Sequence, residues 1–136
     1  MKVCILGGRG MLGHTLYERL KPQFGNVSLT VRGQAADNPE IVRRYGLRDL
    51  IEDVDAMRPE RAMARLTASQ PGVIVNCVGV VKQRAPQQPS AAYAIQSITV
   101  NSAFPHYLAF TAQQWGGRVI HISTDYVFDG EKREPY

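Results

Sequence analysis

Three glycines near the start of the chain are spaced in a way that could bind a diphosphate. Gly7, Gly10 and Gly13 form the pattern GxxGxxG within GGRGMLG, directly after the apolar run VCIL and at the start of an amphipathic stretch. Such a turn lets the backbone approach phosphates, and the helix that follows offers unpaired N–H groups and a positive dipole end. The motif predicts a dinucleotide site that includes Met11 and Leu12; a glycine-rich turn that binds nothing is the alternative.

An arginine follows the second apolar run, in the segment LTVRG. Dinucleotide sites that take NAD usually carry an acidic residue at this place, where it holds the ribose 2′-hydroxyl. Arg32 can instead pair with a 2′-phosphate, and Arg9 in the glycine turn can add a second cation. We therefore expect NADP(H) to be preferred, with NAD(H) as the alternative. Either arginine could also be an ordinary solvated side chain.

The third apolar run ends in Asp53-Val54-Asp55-Ala56. This position corresponds to the rim where an adenine ring would lie, and a carboxylate there can accept a hydrogen bond from the exocyclic amine. Asp55, with Ala56 beside it, is the first choice for this contact, and Asp53 is the second. An acidic pair before a helix can instead compensate the helix dipole, and this structural role is the alternative to the adenine contact.

The elements that would position these residues alternate along the chain. Apolar, β-branched runs at 3–6, 27–31, 50–54, 73–78 and 119–122 predict strands. Helices are expected over 11–20, after Pro59, over 91–98, and from an N-cap at Asn101 or Ser102 to Gly116-Gly117. Alternation of this kind predicts an α/β doubly wound parallel sheet of the Rossmann type, with about five strands in a single domain over 1–136.

Composition argues against several other classes of protein. The chain has 136 residues and a formal net charge of +4, but its arginines are scattered rather than clustered, so we expect no nucleic-acid binding. It contains no apolar run long enough to span a membrane. The first strand begins at Lys2, which leaves no room for a secretion signal, and a cytoplasmic location is expected. Cys4 and Cys77 lie in apolar runs, so neither a disulfide nor a metal site is indicated.

Four segments of the chain together resemble a known family. GGRGMLG, VIVNCVGVVKQ, VNSAFPHYLA and above all VIHISTDYVFDG are similar to the extended short-chain dehydrogenase/reductase superfamily, and within it to the dTDP-4-dehydrorhamnose reductase family. The similarity covers the whole chain. It implies a protein that uses NAD(P)(H) to reduce the 4-keto group of a nucleotide-deoxysugar. Epimerases and dehydratases of nucleotide-sugars, and a non-catalytic regulatory subunit of the same fold, are the alternatives.

The resemblance also implies roles for particular residues. Thr124 would be the catalytic hydroxyl that polarises the substrate oxygen; without the resemblance it would be read as a strand-end residue that satisfies a loop backbone. The cofactor would be lined by Asn76, Cys77, Val78, Gly79 and Ser123. Weaker assignments place Lys82 and Gln83 near the nicotinamide and Asp125, Tyr126 and Phe128 in the pocket wall, although Lys82 could be solvated and the aromatic rings could be ordinary packing.

The family's proton donor is a tyrosine followed four residues later by a lysine, on the helix after the fifth strand. That helix would begin beyond Tyr136, which itself matches the loop before it. We therefore expect this chain alone to bind a cofactor but not to complete the reaction, with the C-terminal strands and the substrate domain missing. The uncovered sheet edge that results predicts self-association, so a homo-oligomer is expected.

Overall fold

The strands of this chain form one parallel sheet. The computed structural model describes residues 1–81 and 90–124. Its strands are β1 (Val3–Leu6), β2 (Val27–Thr30), β3 (Leu50–Ile51), β4 (Val73–Asn76) and β5 (Arg118–His121). They lie in the order β3-β2-β1-β4-β5, and every neighbouring pair is parallel. The predicted doubly wound α/β sheet is confirmed.

Helices connect the strands and cover both faces of the sheet. They are α1 (Met11–Phe24), α2 (Pro39–Tyr45), α3 (Pro59–Ser69), α4 (Ala91–Ile98) and α5 (Phe104–Gln113). A 3₁₀ turn at Ala35–Asp37 precedes α2, and a π turn at Thr99–Ala103 joins α4 to α5. Within the described part of the chain, no helix has the length and apolar character needed to cross a membrane.

Alternate residues of β1 enter different hydrophobic cores. From β1, Cys4 and Leu6 pack with α3 and α5 on one face, while Val3 and Ile5 pack with α1 on the other. All four side chains are buried. Burial on both sides explains why β1 is wholly apolar instead of alternating between apolar and polar residues.

Strand β3 is shorter than the sequence suggested. A strand was expected over 50–54, but extended pairing ends at Ile51. The reason is Asp53, whose φ of 61° lies in the left-handed region, and whose N–H donates to the carbonyl oxygen of Gly33 at 2.9 Å. Aspartate tolerates this conformation better than most residues. Strand β1 has its expected bounds, β2 and β4 end one and two residues early, and β5 is shifted by one residue; α2 was not predicted.

The segment from α4 to α5 also differs from the structure that the sequence predicted. Helix α4 has its expected bounds, but the expected new N-cap at Asn101 or Ser102 is wrong, because the π turn carries the helix onward without a break. Pro105 lies in the first turn of α5. A proline lacks the N–H that a regular helix would direct to the fourth residue before it, and a wider π turn accommodates that loss.

Strand β5 forms one edge of the sheet in the described residues. Its Val119 packs against the core on the α5 side, whereas Ile120 on the opposite face is 52% exposed and Ile122 just beyond the strand is also exposed. The uncovered edge expected from the sequence stays a prediction, and so does self-association through it.

Replacing Phe104 should test the larger core. Its ring is fully buried among the side chains of β1, β4 and α3, so Phe104→Ala should lower the free energy of unfolding by about 3–5 kcal/mol. Phe110→Ala is the matched control, because that ring lies on the same helix but is 69% exposed. Urea denaturation followed by circular dichroism measures both. Equal losses for the two variants would contradict the assigned core.

Candidate functional site

The candidate site lies at the carboxyl edge of the sheet. Leu6 of β1 is the register partner of Asn76 in β4, and Asn76 is in turn the partner of His121 in β5. Because the strands are parallel, the loops that follow these three residues lie side by side. The crevice between β1 and β4 is also where the strand order reverses direction, which is the usual ligand position in open α/β sheets. The sequence-predicted glycine turn, 76–79 loop and Ser123 therefore meet at one edge.

The glycine turn brings α1 close to β1. Gly7 has a φ of 87°, a conformation that disfavours any side chain. At Gly13, an added Cβ would lie 2.8 Å from the carbonyl carbon of Gly7 and would overlap its oxygen. The turn is closed by a hydrogen bond from Gly10 N to Gly7 O at 2.8 Å. Only a residue without a side chain permits this packing at position 13.

Thr30, at the end of β2, anchors the same turn. Its hydroxyl oxygen accepts a hydrogen bond from Gly7 N at 3.3 Å, and its carbonyl oxygen accepts one from Gly8 N at 3.0 Å. The residue is almost fully buried. Sequence reasoning missed this role, although a hydroxyl near the carboxyl end of a predicted strand is a signal that could have indicated it.

The N-terminus of α1 offers donors for an anion. Gly10 occupies the N-cap position and no side chain caps the helix, so the first amides lack intrahelical partners. Met11 is 81% exposed and Leu12 is also exposed, so the first turn of α1 lies at the protein surface. Uncapped amides beside a glycine turn, together with the positive end of the helix dipole, fit a diphosphate.

Arg9 is already paired. Its Nε lies 3.5 Å from a carboxylate oxygen of Glu40 on α2, and both side chains are more than half exposed. An exposed ion pair of this kind contributes little stability and can exchange for another anion. Its expected role as a second cation for the cofactor therefore remains a prediction.

A cleft of about 280 Å³ lies beside the ends of β2 and β3. Its lining consists of Arg32, Gly33, Asp53, Asp55, Arg58 and Arg61. The two residues that the sequence assigned to the adenosine end, Arg32 and Asp55, are thus brought to one cleft. One carboxylate oxygen of Asp55 accepts a hydrogen bond from Met57 N at 3.0 Å, which fixes the turn that leads into α3.

Asp53 holds the wall of this cleft together. One of its carboxylate oxygens accepts hydrogen bonds from Arg61 at 2.8 Å, Arg65 at 2.9 Å and Gln34 at 2.5 Å. The Arg65 hydrogen bond, followed by the charge of Arg61 and the Gln34 amide, holds the pKa of Asp53 below its ordinary value, against the opposing effect of burial. Its carboxylate is therefore engaged with the protein, which leaves Asp55 as the better candidate for adenine.

The loop after β4 is fixed by two asparagines. Asn76 is fully buried; its Oδ1 accepts a hydrogen bond from Val78 N at 3.1 Å, and its Nδ2 lies 3.1 Å from Nδ1 of His121. Asn101, in the π turn, binds both backbone groups of Val80, accepting at 2.8 Å and donating at 2.9 Å. Asn101 was missed as a loop anchor because it was interpreted as a helix cap.

The remaining residues of this loop and of the loop after β5 are more open. Cys77 is half-buried, and burial raises the pKa of its thiol, so the side chain stays neutral. Gly79, Ser123 and Thr124 are exposed. Ala56, next to Asp55, is buried in the core. The other predicted site residues, Lys82, Gln83, Asp125, Tyr126 and Phe128, lie outside the described residues.

The Tyr–Lys spacing expected only beyond Tyr136 does occur once, in α1. Tyr17 is followed four residues later by Lys21, but Tyr17 is buried and donates a hydrogen bond to Asp49 at 2.6 Å. Asp49 precedes β3, so the pair lies toward the amino edge of the sheet, away from the glycine turn. Burial, reinforced by Asp49, raises the pKa of Tyr17. The pair is structural and does not serve as the family's proton donor.

Metal chemistry has no support in residues 1–81 and 90–124, where no three His, Cys, Asp or Glu side chains come together in a way that could hold an ion. The donors at the carboxyl edge are amides, hydroxyls and guanidinium groups instead. These groups suit a phosphorylated ligand.

The chain matches known proteins over its whole length. Residues 1–136 match the RmlD substrate binding domain family. The chain is 31% identical over 137 residues to the probable dTDP-4,6-dihydroxy-2-methyloxan-3-one 4-ketoreductase of Streptomyces antibioticus, covering 100% of this chain and 39% of that protein. It is 30% identical over 136 residues to the dTDP-4-dehydrorhamnose reductase of Burkholderia thailandensis, covering 100% of this chain and 38% of that protein. The chain thus spans about two fifths of the length of these relatives.

Solved structures share the fold. The hypothetical dTDP-4-dehydrorhamnose reductase of Sulfolobus tokodaii superposes with a TM-score of 0.72 at 21% identity, covering 100% of this chain and 45% of that one. The dTDP-4-dehydrorhamnose reductase of Bacillus anthracis, solved in complex with NADP, gives 0.66 at 22% identity, covering 96% of this chain and 39% of that one. At these identities the likeness shows the fold alone.

The parallel sheet and its carboxyl-edge loops define a Rossmann-like α/β protein, a fold that these solved structures share. The chain belongs to the RmlD substrate binding domain family, and its similarity to dTDP-4-dehydrorhamnose reductases confirms the resemblance seen in its motifs.

Asp53→Asn should weaken the cleft wall in a pH-dependent way. Because the pKa of Asp53 is lowered in the folded protein, its stabilising contribution is fully present above the ordinary value, about pH 4, and is lost as pH falls through the lowered pKa. The variant should melt below the wild type at pH 6 to 7, and the gap should narrow in acid. Thermal melts from about pH 3 to pH 7 measure this.

Glu60→Gln is the matched control for that experiment. It also removes one carboxylate, in the first turn of α3, but Glu60 forms no ion pair within the described ranges. Glu60→Gln loses only the interaction of an exposed carboxylate with the helix dipole, so its melting temperature should stay closer to the wild type than that of Asp53→Asn at pH 6 to 7. A gap between Asp53→Asn and wild type that stays constant into acid would contradict the ion-pair assignment.

Proposed function

We propose that this chain is the cofactor-binding domain of an NADP-dependent reductase that acts on the 4-keto group of a nucleotide-deoxysugar. The observation that carries the proposal is the meeting of three loops in register at the carboxyl edge. The uncapped N-terminus of α1 and the glycine turn lie there beside the loops after β4 and β5. The similarity of the whole chain to dTDP-sugar reductases supports the substrate class.

The chain's own residues would hold the cofactor along this edge. The amides of Met11 and Leu12 would bind the diphosphate, with Gly7, Gly10 and Gly13 keeping side chains out of the way. Arg32 and Asp55 would contact the adenosine end, because both line the same cleft. The backbone of 76–79, which Asn76 and Asn101 fix, would border the nicotinamide end.

The bound cofactor supplies the hydride of the reduction. Thr124 would donate a hydrogen bond to the sugar's C4 oxygen and polarise the carbonyl group. The Asn76 side chain, which links the end of β4 to the end of β5, would keep the Thr124 loop aligned with the 76–79 loop. Protonation of the oxygen would need the tyrosine expected after residue 136, so the reaction belongs to the complete protein, for which we propose a cytoplasmic location and a homo-oligomeric state.

Gly10→Asp should block the diphosphate site without unfolding the protein. Gly10 has φ −80° and ψ 150°, which other residues adopt freely, and an added Cβ would be 3.2 Å from Gly7 O, so only a small shift is needed. An aspartate here would cap the free amides and repel phosphate. The affinity for NADPH and NADH should fall about 10- to 100-fold, with an unchanged or higher melting temperature. Isothermal calorimetry and thermal melts measure the two effects.

Two further variants show whether the loss of nucleotide affinity in Gly10→Asp comes from the negative charge or from the added side chain. Gly10→Asn caps the same amides without a negative charge and should lose less affinity than Gly10→Asp. Gly46→Asn, at the end of α2 where an added Cβ meets nothing within 4 Å, should bind like the wild type. Absence of heat with either nucleotide for the well-folded wild type would overturn the proposed function.

In the complete reductase, Thr124→Val should slow catalysis without changing cofactor binding. Loss of the hydroxyl that polarises the carbonyl should lower kcat by about 10²- to 10³-fold. The dissociation constant for NADPH should stay unchanged, because the residue would contact the sugar rather than the cofactor. Thr124→Ser keeps the hydroxyl and should retain most of the activity. Steady-state rates and fluorescence titration provide the comparison, and equal activity of the Val and Ser variants would refute the role.

A further inference from the structure

Two guanidinium groups in the cleft beside β2 and β3 have no partner among residues 1–81 and 90–124. Arg32 and Arg58 both line the cleft, and neither side chain forms a hydrogen bond or an ion pair there. The third arginine of the lining, Arg61, is held by Asp53 at 2.8 Å. Arginines left unpaired on one concave surface form a site for an anion.

The carboxylates around the cleft are engaged with other groups and leave these two arginines unneutralised. One oxygen of Asp37 accepts a hydrogen bond from Gln34 N at 3.0 Å, and Glu52 accepts one from Ala35 N. The Asp53 carboxylate is bound by its two arginines and a glutamine, and the Asp55 carboxylate binds Met57 N. None of these carboxylates forms an ion pair with Arg32 or Arg58 in the described chain.

The backbone beneath both arginines is fixed. The fully buried Asn38 donates from Nδ2 to the carbonyl oxygen of Arg32 at 3.1 Å. The N–H of Arg58 donates to the carbonyl oxygen of Asp55 at 2.9 Å, at the N-cap of α3. The side chains therefore extend from anchored positions, which reduces the entropy lost when both bind one ligand.

We propose that Arg58 is a specificity-determining residue that, together with Arg32, binds the 2′-phosphate of the cofactor's adenosine ribose. This inference rests on the proposed function and adds to it a residue from the turn before α3. A phosphate monoester carries close to two negative charges and matches two guanidinium forks, whereas the 2′-hydroxyl of NAD leaves both arginines without an anionic partner. Arg58 lies in a different loop from Arg32 and contacts the phosphate from the β3 side of the cleft.

Two small nucleotides isolate this contact from the rest of the cofactor. 2′,5′-ADP and 5′-AMP differ only by the 2′-phosphate, so their affinities for the purified protein, measured by isothermal calorimetry, report on that group alone. Arg58→Gln should weaken 2′,5′-ADP about 10- to 100-fold and change 5′-AMP by less than about twofold. Arg32→Gln should behave the same way, and Arg58→Lys should lie between Arg58→Gln and the wild type.

Arg118→Gln is the matched control. It removes the same charge from an exposed position at the start of β5, on the opposite edge of the sheet, and should leave both affinities unchanged. Raising the salt concentration should weaken 2′,5′-ADP more than 5′-AMP in the wild type and reduce that difference in Arg58→Gln.

The outcomes separate the inference from the proposed function. If the folded wild type binds neither nucleotide nor NADPH, the proposed function fails and the inference fails with it. If the wild type binds NADPH but Arg58→Gln keeps the wild-type ratio of the two affinities, the inference alone is overturned. An equal loss for both nucleotides would also overturn it, because that result would show a structural role for Arg58.

Discussion

Helix α1 begins against the turn that follows β1, at a separation that only a glycine at position 13 permits. Any side chain there would collide with the Gly7 carbonyl group, and the helix would have to withdraw from the sheet. The free amides at the start of α1 would withdraw with it. The proposed anion site, the position of the glycine turn and the packing of α1 on β1 thus share one steric constraint, and Thr30 of the neighbouring strand reinforces it through its hydrogen bond to Gly7 N.

Features that depend on local pattern could be predicted from the sequence. Short apolar runs marked the five strands, and the glycine spacing marked the turn at which a parallel sheet places its ligands. Arg32 and Asp55 were found because each follows a predicted strand, and residues at the same ends of parallel strands share an edge. The structure brings both to a single cleft.

Features that depend on contacts between distant segments could not be predicted. Asp53 ends β3 early because it adopts a left-handed backbone conformation and receives side chains from α3, a combination without a local signature. The π turn was mistaken for a helix start because Asn101 and the nearby proline are both common there. Tyr17 and Lys21 have the spacing of a catalytic pair, and only the burial of Tyr17 and the contacts of both side chains with Asp49 show that they are structural.

Arg61 and Arg65 are separated by one helical turn, and both hold the same Asp53 oxygen. Rotation of α3 about its axis would stretch both contacts, so the two ion pairs fix the rotational orientation of the helix relative to the end of β3. On the inner surface of α3, Leu66 is fully buried and packs in the larger hydrophobic core. The shape of the cleft proposed for the nucleotide therefore depends on hydrophobic packing on the opposite side of α3, so a core mutation that never touches the ligand could change the proposed selectivity.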